Sequence, residues 1–228
     1  MFKAIVFDLD GTLYEYFTPA EESMEHVYEL VSQKHNIKLE MLVEAYKIIL
    51  EEAIKKGFHQ EKPDFDYRKE RFRLLLEKFS LSDDELLDRM LDRYESELDI
   101  RMKPFPDVER TLENLKNRYR LHIATAGPPE SQRKKLKVLG LEAYFEKIFI
   151  SGELNKKKAT GELFKHILGV LNCKPDEILV IGDSYEMDIL GSGKAGIQSV
   201  WINKTNQKKE GDVHLAEIEN IEELLKIL

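Results

Sequence analysis

Five short apolar runs, each halted by a polar or small residue, recur along this chain, and they constrain its fold more than any other feature. They are Lys3 to Asp8, Leu121 to Thr125, Lys147 to Ile150, Ile178 to Gly182 and Ser199 to Ile202. Their β-branched content and length suit strands buried on both faces. Helical patterns separate the later runs: Val108 to Arg118, Glu130 to Leu139, Gly161 to Leu171 and Met187 to Lys194. Strands that alternate with single helices imply right-handed crossovers, hence a parallel sheet covered on both faces.

The segment from about Glu15 to Lys103 breaks that rhythm, with no strand signal and four amphipathic stripes in series. Met24, Val27, Tyr28 and Val31 fall at i, i+3, i+4 and i+7, as do Leu42, Ala45, Tyr46 and Ile49. Phe72, Leu75, Leu76 and Phe79 repeat the pattern, and Leu87, Met90, Leu91 and Tyr94 repeat it again. Thr18-Pro19-Ala20-Glu21 and Ser82-Asp83-Asp84-Glu85 read as capping boxes for the first and fourth helices, the first with Pro at N1. Four such stripes can close on one another as a bundle. The expected architecture is therefore α/β: a Rossmann-like parallel-sheet core of residues 1–14 and 104–228, with an all-helical four-helix bundle, residues 15–103, inserted. The junctions are Leu13 to Tyr16 and Met102-Lys103-Pro104-Phe105-Pro106, where two prolines disfavour helix at the residues before them.

Composition narrows the function. The chain has 228 residues, 35 Lys+Arg and 43 Asp+Glu, and a net charge of −8 that disfavours broad contact with nucleic acid or anionic lipid. No stretch approaches the roughly 18 uncharged apolar residues of a membrane span. One cysteine, Cys173, can form no disulfide within the chain and no zinc cluster. A reduced, cytoplasmic protein is expected, with no membrane and no nucleic-acid partner. The six histidines show no metal-ligand spacing and read as surface or satisfied core. Arg133-Lys134-Lys135 reads as a solvated face, whereas Lys156-Lys157-Lys158 could meet a phosphate.

Ligands of such sheets bind beyond the carboxyl ends of the strands, where the direction of the connections reverses. The first strand ends in Asp8-Leu9-Asp10-Gly11-Thr12, the second in Thr125-Ala126-Gly127, and the fourth in Gly182-Asp183-Ser184 with Asp188 beyond it. A carboxylate at the end of an apolar strand is costly unless a cation or donors compensate it. Several carboxylates at one edge suit a hard divalent ion, and Mg²⁺ is the usual one with phosphates. Read alone, Asp8 and Asp10 could be mere turn residues.

Taken together these motifs resemble the haloacid dehalogenase-like superfamily of hydrolases. The first motif, Asp-x-Asp-x-Thr, is Asp8-Leu9-Asp10-Gly11-Thr12; the second is Thr125; the third is Lys158, with Lys157 in reserve; the acidic fourth runs from Asp183 to Asp188. The helical insert sits where members with the first type of cap carry theirs. The resemblance implies a Mg²⁺-dependent phosphatase of a small soluble phosphorylated metabolite. Asp8 would be the nucleophile and Asp10 the acid/base. Asp8, Asp183, Asp188 and the Asp10 carbonyl would hold the metal, Asp188 directly or through a water. Thr125, the Ala126 N–H and Lys158 would hold the phosphoryl oxygens.

The chain departs from the family's pattern in the second and third motifs. Many members have Asn where Ala126 stands, Pro128-Pro129 remove two N–H donors, and Ala159 replaces the Pro that often follows the third-motif lysine. A sugar-phosphate mutase keeps all four motifs. A 2-haloacid dehalogenase lacks the second acid, so Asp10 argues against it, and a non-catalytic phosphate-binding protein has no need of Asp10. Tyr14, Tyr16 and Phe17 either wall an entrance or pack in a core. The loop from about Lys56 to Arg68, with Phe58, His59 and Lys62, is a further place where substrate could be met.

Overall fold

The computed structural model describes residues 1–55, 67–209 and 214–228. Most of the expected Lys56 to Arg68 loop, including Phe58, His59 and Lys62, lies outside them. The chain divides into two compact units, residues 1–15 with 103–228 and residues 16–102.

The α/β unit contains strands β1 (Ala4–Phe7), β2 (Arg120–Thr125), β3 (Lys147–Ile150), β4 (Ile178–Gly182), β5 (Gln198–Ile202) and β6 (Ala216–Ile218). All pairings are parallel, in the order β3-β2-β1-β4-β5-β6. β1 is buried throughout because neighbours flank it on both sides. The order reverses between β1 and β4, so the carboxyl ends of these two strands border the switch point. The sixth strand, Ala-Glu-Ile, carries no apolar run and escapes sequence analysis.

The helical unit contains α1 (Phe17–His35), α2 (Leu39–Lys55), α3 (Tyr67–Lys78) and α4 (Asp84–Arg101). Each stripe buries most of its face, with Ile49, Leu91 and Phe79 (the last beyond the end of α3) only partly covered, and one ring from each helix joins a continuous aromatic stack. Tyr28 and Tyr46 lie 6.1 Å apart, Tyr46 and Phe72 6.1 Å, and Phe72 and Tyr94 6.0 Å. Such tilted pairs add about 0.5–1.5 kcal/mol each beyond their buried area. The helix starts differ from the expected capping boxes. α1 begins at Phe17 with no side-chain cap at Tyr16, so Thr18 is not its cap and Pro19 sits inside the first turn, where its missing N–H costs nothing. α4 is capped by Asp83, not Ser82, and the Asp83 carboxylate accepts the Leu86 N–H at 2.9 Å.

The remaining helices of the α/β unit are α5 (Val108–Leu115), α6 (Pro129–Val138), α7 (Ser151–Leu154), α8 (Glu162–Leu171), α9 (Leu190–Gly193) and α10 (Leu224–Ile227). The chain leaves and re-enters this unit side by side: Phe105 N–H donates to the Leu13 carbonyl at 3.0 Å, and Tyr14 bridges to Pro104. No helix among the described residues is long and apolar enough to cross a membrane.

One histidine departs from the expectation of a satisfied core. His122, in the middle of β2, is fully buried, and neither ring nitrogen has a hydrogen-bond partner. Burial pushes its pKa down from 6.5 to about 4; Glu146 opposes this, and Arg120 and Lys147 add to it. The unfolded chain therefore takes up a proton as pH falls through 6.5 while the folded chain does so only near 4. Between these values the fold loses on the order of 2–3 kcal/mol. His122→Leu should remove most of that loss, read as the change in urea midpoint between pH 7 and about pH 4.5. An equal change in both proteins would show that another group is responsible.

Candidate active site

β1 delivers Asp8 to the switch point, and its N–H continues the ladder to the Ile181 carbonyl of β4 at 2.8 Å. The β1 loop then turns back at Gly11, whose φ of 83° suits glycine, and a Cβ there would overlap the Asp183 carboxylate. Asp183 follows β4 directly. Asp188 sits on a π-helical turn, Tyr185–Ile189, in which the Ile189 N–H reaches the Ser184 carbonyl at 3.4 Å. Ser184 caps this turn, accepting the Met187 N–H at 3.3 Å. Its own N–H donates to Asp188 Oδ2 at 3.0 Å. Gly182 makes room for that carboxyl, which any Cβ at 182 would strike.

Asp8, Asp183 and Asp188 each place an oxygen within 4.8 Å of the other two. Lys158 stands among them, its Nζ 2.6 Å from Asp8 Oδ1 and paired also with Asp188 Oδ1. Thr12 ties the two strand ends together: its hydroxyl lies 3.1 Å from Asp8 Oδ2 and 3.3 Å from Asp183 Oδ1, and it accepts the Asp183 N–H at 3.1 Å. One proton serves only one carboxylate at a time. Three carboxylates gather around the Lys158 ammonium, and the pKa shifts record the imbalance. Burial raises Asp183 to about 6, assisted by Asp8 and opposed by Lys158. Burial likewise raises Asp188 to about 7, with Lys158 opposing and Asp8 assisting. For Lys158 burial works the other way, but Asp188 and Asp8 outweigh it and hold the ammonium above its usual range. This buried, electron-rich, all-oxygen donor set fits a hard divalent cation.

The other expected residues form separate contacts. Asp10 stands apart from this cluster, with Lys135 Nζ 2.6 Å from its Oδ1 and the Tyr14 hydroxyl donating to the same oxygen. Lys135 thus corrects the reading of residues 133–135 as a solvated face: it is 6% exposed, because it shares the inner face of α6 with Gln132 and Leu136. Thr125, at the carboxyl end of β2, donates its hydroxyl to Gln132 Oε1 at 3.0 Å. Ala126 is half-buried in the loop that follows. Lys157 is exposed, whereas Lys158 is buried.

Gln132, Lys135, Tyr14 as a donor and Thr12 as a strand tie were not singled out by sequence reasoning. The i, i+3, i+4 register of Gln132, Lys135 and Leu136 is the one signal that marks Lys135 within its charge run. Lys204 was also missed. Its Nζ donates to the Gly11 carbonyl at 2.7 Å and lies 3.0 Å from the Phe105 ring centre. Of the aromatics at the first junction, Tyr14 is fully buried; Tyr16 and Phe17 belong to the helical unit, their rings 5.7 Å apart.

The parallel sheet thus carries an acid pair after β1 and acids after β4, at the two strand ends that border its switch point. Residues 5–202 match the haloacid dehalogenase-like hydrolase family, and the chain belongs to it. It is similar to the N-acylneuraminate-9-phosphatase of Rattus norvegicus, 28% identical over 207 residues that span 89% of this chain and 83% of that one. It is also similar to the glyceraldehyde 3-phosphate phosphatase of Methanopyrus kandleri, 28% identical over 235 residues that span 100% of this chain and 97% of its relative. The crystal structure of the HAD-hydrolase YfnB from Bacillus subtilis bound to magnesium shares the fold, with a TM-score of 0.76 at 24% identity over 99% of this chain and 98% of that one.

Proposed function

We propose that this chain is a Mg²⁺-dependent phosphatase that hydrolyses a small phosphorylated metabolite through a phospho-aspartate on Asp8. The observation that carries this reading is the separation of the two first-motif acids. Asp8 belongs to the acidic cluster, while Asp10 is held outside it by Lys135 and Tyr14. A second acid free of the metal ligands' carboxylates is what proton transfer to a leaving alkoxide needs. A dehalogenase has no such need.

In this reading Asp8, Asp183, Asp188 and the Asp10 carbonyl hold Mg²⁺, which when bound supplies charge neutralisation between the nucleophile and the phosphoryl group. An Asp8 oxygen attacks phosphorus as the ester P–O bond breaks, and Asp10 gives its proton to the departing oxygen. Asp10 then takes a proton from the water that attacks the acyl phosphate, which frees inorganic phosphate and returns Asp8 to a carboxylate. Lys158, Thr125 and the Ala126 N–H hold the phosphoryl oxygens. The helical unit, residues 16–102, serves as the cap and contributes substrate selection rather than bond cleavage.

The two phosphatase relatives are named for N-acylneuraminate 9-phosphate and glyceraldehyde 3-phosphate, which supports a sugar or triose phosphate as substrate here. Phosphate release should be measured over phosphorylated sugars, trioses, glycolate and nucleotides with Mg²⁺. Sugar or triose phosphates should lead by at least tenfold in kcat/KM. If nucleotides lead, the substrate class is wrong. If substrate instead isomerises without phosphate release, followed by phosphorus NMR, the chain is a mutase.

A further inference from the structure

Lys135 makes a contact that its charge run conceals. Its ammonium is taken out of water, the side chain being 7% exposed, and is set against Asp10. Such a pair is an expensive way to fill a helix face, since an apolar side chain of similar volume is often neutral or better for stability. Leu136 fills the neighbouring position with such a group, and is fully buried. A charge retained there has a use other than packing.

The use lies in which oxygen it takes. Lys135 and the fully buried Tyr14 both donate to Asp10 Oδ1. The terminal torsion of an aspartate is soft and broad, so a carboxylate without such anchors sweeps its oxygens through many directions. Two donors from different elements, one on α6 and one on the turn after β1, fix that torsion. Gln132, one turn before Lys135, accepts the Thr125 hydroxyl. One helix face therefore orients groups from both the first and second motifs.

We propose that Lys135, with Tyr14 beside it, is a positioning residue that anchors Asp10 through Oδ1, so that proton exchange with the leaving oxygen and then with water runs through Oδ2. This rests on Asp10 being the acid/base of the proposed reaction. Misplacing such a group by about 1 Å can cost on the order of 10²-fold in rate.

The test uses the full chain with Mg²⁺ and two probes, 4-nitrophenyl phosphate and glycerol 2-phosphate, on Lys135→Met, Lys135→Arg, Tyr14→Phe and Asp10→Asn. Lys135→Met should lower kcat about 10–100-fold with KM changed less than about threefold, and more for glycerol 2-phosphate, whose leaving group needs the proton. During turnover of the aryl ester it should carry more acid-stable phosphoryl protein than the parent, because the water step stalls. Lys135→Arg, which keeps an N–H donor, should recover most of the rate. The Lys135→Met, Tyr14→Phe double variant should lose less than the product of the single losses, because both donors act on one oxygen. If Lys135→Met does not fold, Tyr14→Phe and Lys135→Arg carry the comparison, and parental kcat in Tyr14→Phe overturns the anchor. A loss confined to KM, or a loss of kcat with no extra phosphoryl protein, also overturns it. If Asp10→Asn is inactive while Lys135→Met is fully active, this inference falls alone. If Asp10→Asn is fully active, the acid/base reading falls and takes this inference with it.

Discussion

Asp8→Asn should abolish turnover and leave no phosphorylated protein, whereas Asp10→Asn should slow turnover about 10²–10⁴-fold and trap the protein as a phosphoryl adduct. Both variants should keep their local structure. In Asp8→Asn the amide oxygen can still accept from Lys158, as Asp8 Oδ1 does at 2.6 Å. In Asp10→Asn the amide oxygen can still accept from Lys135 and Tyr14. What differs is chemistry. The first variant has no nucleophilic carboxylate, so no acyl phosphate forms. The second cannot exchange a proton at that side chain, yet an aryl phosphate whose leaving group departs without one still phosphorylates Asp8. The adduct then waits for a water that nothing activates. Mass spectrometry after a rapid acid quench should show one added phosphoryl group on Asp10→Asn and none on Asp8→Asn. Identical behaviour of the two variants would make the pair structural or metal-binding carboxylates without distinct roles.

Removal of divalent metal should abolish activity, and Mg²⁺ should restore it fully while Ca²⁺ should not. Asp8, Asp183 and Asp188 share one buried neighbourhood with the Lys158 ammonium, so an incoming phosphate dianion meets an excess of negative charge. Ca²⁺ takes about 6–8 oxygens in a looser shell and can engage both oxygens of Asp8, which misplaces the nucleophile. Binding should be visible without turnover: Mg²⁺ at about a hundredfold over its dissociation constant adds about 2.7 kcal/mol to the fold. Asp183→Asn should lose that shift. The pH dependence follows from the raised carboxyls. With Asp183 raised to about 6 and Asp188 to about 7 in the metal-free chain, protons displace the metal as pH falls through that window, so affinity should drop. These two carboxyls should add stability to the metal-free fold over the same descent, opposite in sign to the His122 contribution, since a carboxyl whose folded pKa exceeds its unfolded value is strained when ionised. Activity in chelator, or equal rates with Ca²⁺, would refute the assignment.

Much of this was legible in the sequence because its signals are local. A buried strand announces itself as a short apolar run, and Ala4–Phe7 or Ile178–Gly182 need no partner to be recognised. The four stripes of the helical unit were legible for the same reason. β6 was not, because three residues reading Ala-Glu-Ile carry no period; it exists only because β5 offers an edge to pair with. The start of α1 was misjudged because Thr18 has the chemistry of a cap but the helix already begins at Phe17. The π-helical turn at Tyr185–Ile189 is invisible in an apolar pattern, yet it places Asp188 where Ser184 N–H and Lys158 meet it.

The sequence by itself determined the alternation that demands a parallel sheet, the interruption by four helices, and the order of motifs at the strand ends. Each depends on residues a few positions apart. Only the tertiary structure decided which lysine serves which acid. Lys158 meets Asp8 across 150 positions and Lys135 meets Asp10 across 125, while Lys157, identical in chemistry, is exposed. A run of lysines offers the same charge at every position. The helix register and the packing of α6 and the turn before α8 against the sheet choose the one whose burial a carboxylate compensates.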